Sequence, residues 1–216
     1  MLAAIRRGLR RGPLPNDQAA MLRARLDLHP RHLIPARSRL PHDGQIALFI
    51  ANVEKEFGSV ARVPDVDAVP EAVATYLAAQ NLPTDVVMAP HPELQGVPWS
   101  TRPLLRLREG RAEASDLVSI QHAFAAIAET GTLMLPSAPE RPTTLNLLAD
   151  TEIVVLRAAR LVGAYEEAWD LLRGELGGMP RNVMLVTGPS RSADIEQTLE
   201  LGAHGPRRLH VVLVDH

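Results

Sequence analysis

The sequence contains no cysteine. That absence removes disulfides, thiolate zinc sites, cysteine nucleophiles and cysteine-ligated iron–sulfur clusters together. Lysine is reduced to Lys55, so a Schiff-base mechanism would have one side chain to use besides the N-terminal amine. Aromatic residues are scarce as well, with two Trp, two Tyr and three Phe. Ala, Val, Leu and Ile must therefore fill the core, and such small aliphatic side chains let helices lie close on a parallel sheet. No charge-free apolar run approaches the ~18 residues that a membrane span needs. Arg6, Arg7, Arg10 and Arg11 are not followed by the apolar stretch of a secretory signal, so the chain reads as cytoplasmic. A net charge of −2 offers no general field for nucleic acid. HExxH, Walker A and GxGxxG motifs are missing, and the eight histidines are scattered. His29 and His32 have no acid at ligand spacing, so no metal site is expected.

What is present is an α/β pattern. A length of 216 residues fits one domain with an appended N-terminal piece. In residues 1–43, Pro13, Pro15, Pro30, Pro35 and Pro41 interrupt every periodic stretch except Asp17 to Leu28, a helix candidate. The segment reads as an arm, packed on the domain or offered to a partner. Residues 44–216 read as the α/β domain. Gln45 to Phe57 carries Ile46, Phe49, Ile50 and Val53 at helical core spacing, with Gly58 as a stop. Ser59 to Val63, a helix from Val69 to Gln80 and the apolar Asp85 to Ala89 form a β-α-β unit, which predicts parallel pairing. Residues 90–114 read as irregular. Ala123 to Leu135 reads as a helix or strand, a turn and a strand. A brief helix at Arg141 to Leu148, a strand at Glu152 to Leu156 and a helix at Tyr165 to Leu172 follow. A buried strand at Asn182 to Thr187, a helix at Ser192 to Leu201 and a last strand at Leu209 to Val214 complete an open, mostly parallel sheet with flanking helices.

Two stretches carry candidate chemistry. In the first, a strand runs into Thr187, Gly188, Pro189, Ser190 and Arg191 ahead of the expected helix, which bears Asp194 and Glu196. A helix start there would point free N–H groups at a ligand, Gly188 would allow close backbone approach, and Arg191 would fork onto an anion. The stretch falls one glycine short of a nucleophile elbow, and its acids share the serine's expected helix, so a serine hydrolase is not supported. In the second, Gly131 sits between Thr130 and Thr132, next to Glu129, the only carboxylate between Leu117 and Leu135. A buried Glu129 is the candidate proton shuttle or nucleophile, with Thr130, Gly131 and Thr132 as ligand contacts.

Three blocks, AIAETGTLML (Ala126 to Leu135), TGPSRSADIE (Thr187 to Glu196) and LGAHGPRRLHVVLVD (Leu201 to Asp215), resemble the signature blocks of the LUD family. Their order in a short cysteine-free chain is similar to the lactate-utilisation C branch of that family. The likeness covers about Asp43 to Asp215. It implies a NagB/RpiA/CoA-transferase-like fold, that of ribose-phosphate isomerases, glucosamine-phosphate deaminases and CoA transferases. It also implies a place in a three-protein system that oxidises L-lactate to pyruvate, in which the two partner proteins hold the iron–sulfur clusters and this chain holds no cofactor. Binding of an anionic small molecule at the strand-turn-helix site would accompany that role. The alternative is a stand-alone enzyme or binder for a phosphorylated or acyl-CoA metabolite. Two places depart from the family pattern: Ser119-Ile120-Gln121-His122, where relatives have a Gly/Thr-rich turn, and the stretch from Leu147 to Glu152, where they tend to have Pro and His.

Overall fold

The computed structural model describes residues 2–10, 12–193 and 199–216. The chain divides into two units, Met1–Leu33 and Ile34–His216. The first holds helices α1 (Leu2–Gly8) and α2 (Asn16–Leu28). Helix α2 buries none of its residues and ends at His29 in the left-handed conformation.

The second unit holds helix α3 (His42–Lys55), strand β1 (Ser59–Val63), helix α4 (Val69–Ala79), strand β2 (Asp85–Met88), the short helix α5 (Pro92–Gln95) and strand β3 (Arg106–Glu109). Strands β4 (Val118–His122), β5 (Ala125–Ile127), β6 (Thr132–Pro136), β7 (Thr151–Arg157) and β8 (Leu161–Val162) come next. Helix α6 (Tyr165–Glu175) and strands β9 (Val183–Val186), β10 (Arg191–Ala193), β11 (Leu199–Leu201) and β12 (Arg208–Val214) close the chain.

Six strands form one parallel sheet in the order β1-β12-β7-β4-β2-β3. Its inner strands are buried on both faces, which is why residues 211–214 of β12 read as a continuous apolar run. The expected β-α-β unit is present, but β1 and β2 do not pair with each other. They lie in one sheet with β12, β7 and β4 between them. A second, four-stranded sheet runs β8-β5-β6-β9, with β5, β6 and β9 antiparallel in succession.

The layers follow from side-chain alternation. Val73 and Leu77 of α4 pack with Ile120, Ile153 and Val212 on one face of the parallel sheet. On its other face, Val154, Leu156, Val211 and Leu213 meet Ile46, Phe49 and Val53 of α3 and Ala126, Ala128 and Leu133 of the second sheet. The residues between them on β5 and β6, Ala125, Ile127 and Met134, turn outward to Ala168 and Leu172 of α6. The alanine run is thus a strand buried on both sides, where a larger residue would force the two sheets apart. Helix α6 starts with the Glu167 carboxylate accepting the N–H groups of Gly163 and Ala164 at 2.8 and 3.0 Å. Helix α3 stops through Phe57, at φ 67°, rather than through Gly58. Gly58 is needed for another reason, since a Cβ there would meet the Val53 side chain at 2.7 Å.

The structure corrects three sequence expectations. The helix expected from Ser192 does not begin there, because Arg191–Ala193 pairs antiparallel with Leu199–Leu201; Asp194 to Glu196 and the two residues after them lie outside the described residues. The strand Val183–Val186 is only partly buried, at the edge of the second sheet. Residues 90–114 are not wholly irregular, since β3 adds the outer strand beyond β2.

Candidate functional site

The two sequence-derived turns meet. Thr132, fully buried at the start of β6, places its Oγ1 2.6 Å from Thr187 Oγ1, 2.7 Å from Thr130 Oγ1 and 2.9 Å from the Tyr165 hydroxyl. Both glycines lie against the C-terminal half of α3. Gly131 has φ 69°, and a Cβ there would lie 2.7 Å from the Val53 nitrogen. Gly188 has φ 75°, and its added Cβ would strike the Glu56 carbonyl. Asn52 ties the same helix to the turn by donating to the Ala128 carbonyl at 2.8 Å. The glycines are thus fixed by close helix approach as well as by positive φ.

Glu129 has a side chain 7% exposed. Its Oε1 accepts the Tyr165 N–H at 3.4 Å, and Oε2 accepts no hydrogen bond, with the Arg37 Nη2 at 3.9 Å. The turn from Thr187 to Arg191 leads into strand β10 and not into a helix start. Ser190 donates its N–H to the Pro206 carbonyl at 2.8 Å, and its Oγ accepts from the His204 N–H at 3.2 Å. Arg191 stacks its guanidinium 3.3 Å from the centre of the Phe57 ring instead of forking into an open turn. Pro189 is half-buried beside it.

A second constellation carries no motif in the sequence. The chain runs from β2 outward to β3, then returns to β4 and continues on the other side through β7 and β12. The topological switch point therefore lies between β2 and β4, and in open α/β sheets ligands bind beyond the carboxyl ends of the strands at such a point. His122 is the last residue of β4, and His91 follows β2 by three residues. Their rings stack with centroids 4.4 Å apart and planes 10° apart. A cavity of about 310 Å³ opens there, walled by Phe124, Leu176 and three arginines, Arg141, Arg157 and Arg160.

Two of those arginines are matched. Arg157 pairs with Glu93 at 2.6 Å, and Arg160 forks onto Glu175 at 2.7 and 2.8 Å while donating to the Phe124 carbonyl. Arg141 is not matched in this way. Its side chain is 12% exposed, its Nε is buried without a hydrogen-bond partner, and Glu140 stands 3.8 Å off. Burial lowers its affinity for a proton. The histidines feel the same environment. Burial, reinforced by Arg141, pushes His91 down to about 4. Burial, with His91 and the arginines adding to it, pushes His122 down to about 3. Both imidazoles are therefore neutral at pH 7. His91 Nδ1 accepts the Glu93 N–H at 3.2 Å, which leaves its proton on Nε2, and neither ring nitrogen of His122 has a hydrogen-bond partner. The signal that could have found the pair is positional, since each histidine closes an apolar strand at its carboxyl end.

The hydroxyl cluster and the cavity are separate. Phe124 and Glu129 lie at opposite ends of β5, roughly 17 Å apart at ~3.3 Å per residue. A wider groove of about 520 Å³ shares Arg141 with the cavity and adds Arg111 and Arg181. Glu152, fully buried on β7, accepts from Asn146 at 2.6 Å and Gln121 at 3.3 Å, and burial raises its carboxyl to about 7. Among the described residues, no group of three or more His, Asp or Glu side chains is placed to hold a metal ion, and no helix is long and apolar enough to cross a membrane.

Comparison with known proteins sets this geometry in a family. The model of a family described as the LUD domain matches residues 46–214. A protein from Neisseria meningitidis serogroup B, named uncharacterized protein NMB1437, is 44% identical over 44% of this chain and 41% of its own length. Proteins named lactate utilization protein C are similar as well. The one from Shouchella clausii is 34% identical over 54% of this chain and 51% of its own, and the one from Exiguobacterium is 37% identical over 45% and 44%. The chain thus spans about half the length of the curated relatives it matches. A crystal structure of a DUF162 family protein from Deinococcus radiodurans shares the fold, with a TM-score of 0.59 at 21% identity over 81% of this chain and 99% of that one.

Proposed function

The chain belongs to the LUD domain family, and on that premise we propose that it is an accessory component of an L-lactate utilisation system. In this reading lactate is oxidised to pyruvate, and iron–sulfur proteins that partner the chain carry the electrons. The observation that carries the reading is the run of relatives named lactate utilization protein C, each matching about half of the chain. The missing cysteines agree with the division of labour, because this chain has no thiolate with which to hold a cluster. The Glu129 turn, with the hydroxyls of Thr130, Thr132 and Thr187, is the proposed contact region on one side of the domain, Glu129 being the candidate catalytic group. An anionic ligand at the Thr187 turn would lack the helix-terminus donors that the sequence pattern promises.

A second reading, a stand-alone enzyme or binder for a phosphorylated or acyl-CoA metabolite, draws support from the open groove in which Arg111, Arg141 and Arg181 gather. One experiment separates the two. The tagged full chain is recovered from native lysate, and lactate-dependent dye reduction is measured in cells with and without it. Co-recovery of iron–sulfur proteins, with dye reduction lost on deletion and restored on return of the chain, is the expected result. Undiminished dye reduction in the deletion strain would overturn the first reading.

A further inference from the structure

We propose that His91, His122 and Arg141 form a binding site for a small organic monoanion, a carboxylate carrying a hydroxyl or carbonyl oxygen on the neighbouring carbon. The inference stands on the cavity itself and goes beyond the pathway reading.

Charge comes first. Three guanidinium groups line the cavity and two carboxylates, Glu93 and Glu175, each engage one of them. With both imidazoles neutral, the lining keeps one positive charge, on Arg141, whose carboxylate neighbour Glu140 lies outside the lining and reaches it only at 3.8 Å. A buried cation without a close partner is costly, and a single carboxylate removes that cost while accepting a fork of two N–H groups. A phosphate dianion would leave a negative charge uncompensated in the same place.

Hydrogen-bonding capacity comes next. His122 is 6% exposed and His91 is 7% exposed. A neutral imidazole offers one donor and one acceptor, and His122 uses neither. His91 Nε2 adds a second donor, because its Nδ1 is already committed to the Glu93 N–H. Buried polar groups are otherwise nearly always satisfied, so an unpaired imidazole in the lining of a cavity marks the place of a missing partner. A hydroxyl matches both nitrogen roles, and a carbonyl matches the donor. Size agrees, since about 310 Å³ is at the lower end of small-molecule pockets. Phe124 and Leu176 supply the apolar wall that a short carbon chain needs.

The test is isothermal titration of the full chain with glycolate, pyruvate, acetate and inorganic phosphate in turn. Glycolate and pyruvate are expected to bind at one site, with acetate and phosphate weaker. Arg141→Gln is expected to weaken pyruvate about tenfold or more, and His122→Asn about fivefold, from the loss of a charged and a neutral hydrogen bond respectively. Arg106→Gln, an exposed pair partner of Asp85 on β3, is expected to leave binding unchanged. Should Arg141→Gln fail to fold, the ring nitrogens of the parent carry the test by NMR. Saturating pyruvate must then shift the His91 and His122 signals and leave His210 still. No binding by any carboxylate, binding as tight as the parent's by the Arg141 and His122 variants, unmoved histidine signals, acetate as tight as glycolate, or phosphate tighter than either overturns the proposal. The lactate reading fails separately, through the dye-reduction assay, and a silent titration does not touch it.

Discussion

At pH 8 the Glu152→Gln variant is expected to be more stable than the parent, by an amount that shrinks as the solution is acidified. Glu152 is fully buried on the central strand β7. One carboxyl oxygen accepts from Asn146 and Gln121, while Oε2 has no partner. Burial raises the carboxyl from its ordinary 4.5 to about 7. The folded chain therefore keeps a proton that the unfolded chain has lost between those values. Stability is gained where the folded state holds more protons, so this contribution is full below pH 4.5, declines up to pH 7 and is gone above it. Each pH unit between the unfolded and folded values is worth ~1.36 kcal/mol, so the loss comes to about 3 kcal/mol. Gln keeps the accepting oxygen and does not ionise. Its amide nitrogen replaces the unpartnered oxygen at a cost of roughly 1 kcal/mol, but that offset is the same at every pH. The assay is urea unfolding of parent and variant at pH 5, 6, 7 and 8. The difference between the two should move by about 3 kcal/mol across the series in the variant's favour, roughly 6–12 °C in melting temperature for a chain of this size. Parallel pH profiles would refute the reasoning, because they would mean that Glu152 is solvated or already paired.

Two other outcomes follow from the same structure. Gly131→Val should cost on the order of 3 kcal/mol or more, because a Cβ at φ 69° meets the backbone of Asn52 and Val53 within 3 Å, whereas Thr132→Ser keeps the bonding hydroxyl and should cost about 1 kcal/mol; equal melting temperatures for the Val variant and the parent would mean that α3 does not press on this turn. His122 sits at about 3 when folded and near 6.5 when unfolded, so its contribution is full above pH 6.5 and is lost as the pH falls through that window. His122→Asn should accordingly flatten the acid side of the stability profile by about 1.4 kcal/mol per pH unit between pH 6 and 4, measured by urea midpoints, and an unchanged slope would contradict a buried neutral imidazole.

Much of the fold is legible in the sequence because its strongest elements obey one period each. Helix α3 announces itself through Ile46, Phe49 and Val53, and β2 and β12 through their apolar stretches. The strand β4 is hidden for a physical reason. Ser119, Gln121 and His122 make it look like a polar turn, yet all five of its residues are buried. Ser119 and Gln121 are tolerated there because Ser119 Oγ donates to the Leu145 carbonyl and Gln121 donates to Glu152. A stretch that reads as a polar turn is thus the strand that ends at the cavity. The helix expected after Thr187 fails in the opposite way. Its residues suit a capped helix locally, but Arg191 to Ala193 pairs with Leu199 to Leu201, and tertiary pairing overrides local propensity.

The candidate sites divide along the same line. The hydroxyl junction can be anticipated because each half carries a local mark, a glycine beside a threonine, and the fold has only to bring two turns onto one helix. The cavity cannot be, because its charged and polar members come from the ends of β2, β4 and β7, a loop after β6 and the end of α6, and none is near another in sequence except Arg157 and Arg160, and His91 and Glu93. Its meaning lies in what each group lacks. Arg157 and Arg160 would count as anion ligands on composition alone, and the structure removes them by showing their carboxylate partners. Arg141 and His122 would count as ordinary surface residues, and the structure singles them out by burying ring and guanidinium nitrogens without partners. Pairing is decided by topology, since the order β7-β4-β2 fixes which strand ends share a crevice. Binding chemistry in this domain is therefore a property of strand order before it is a property of motif.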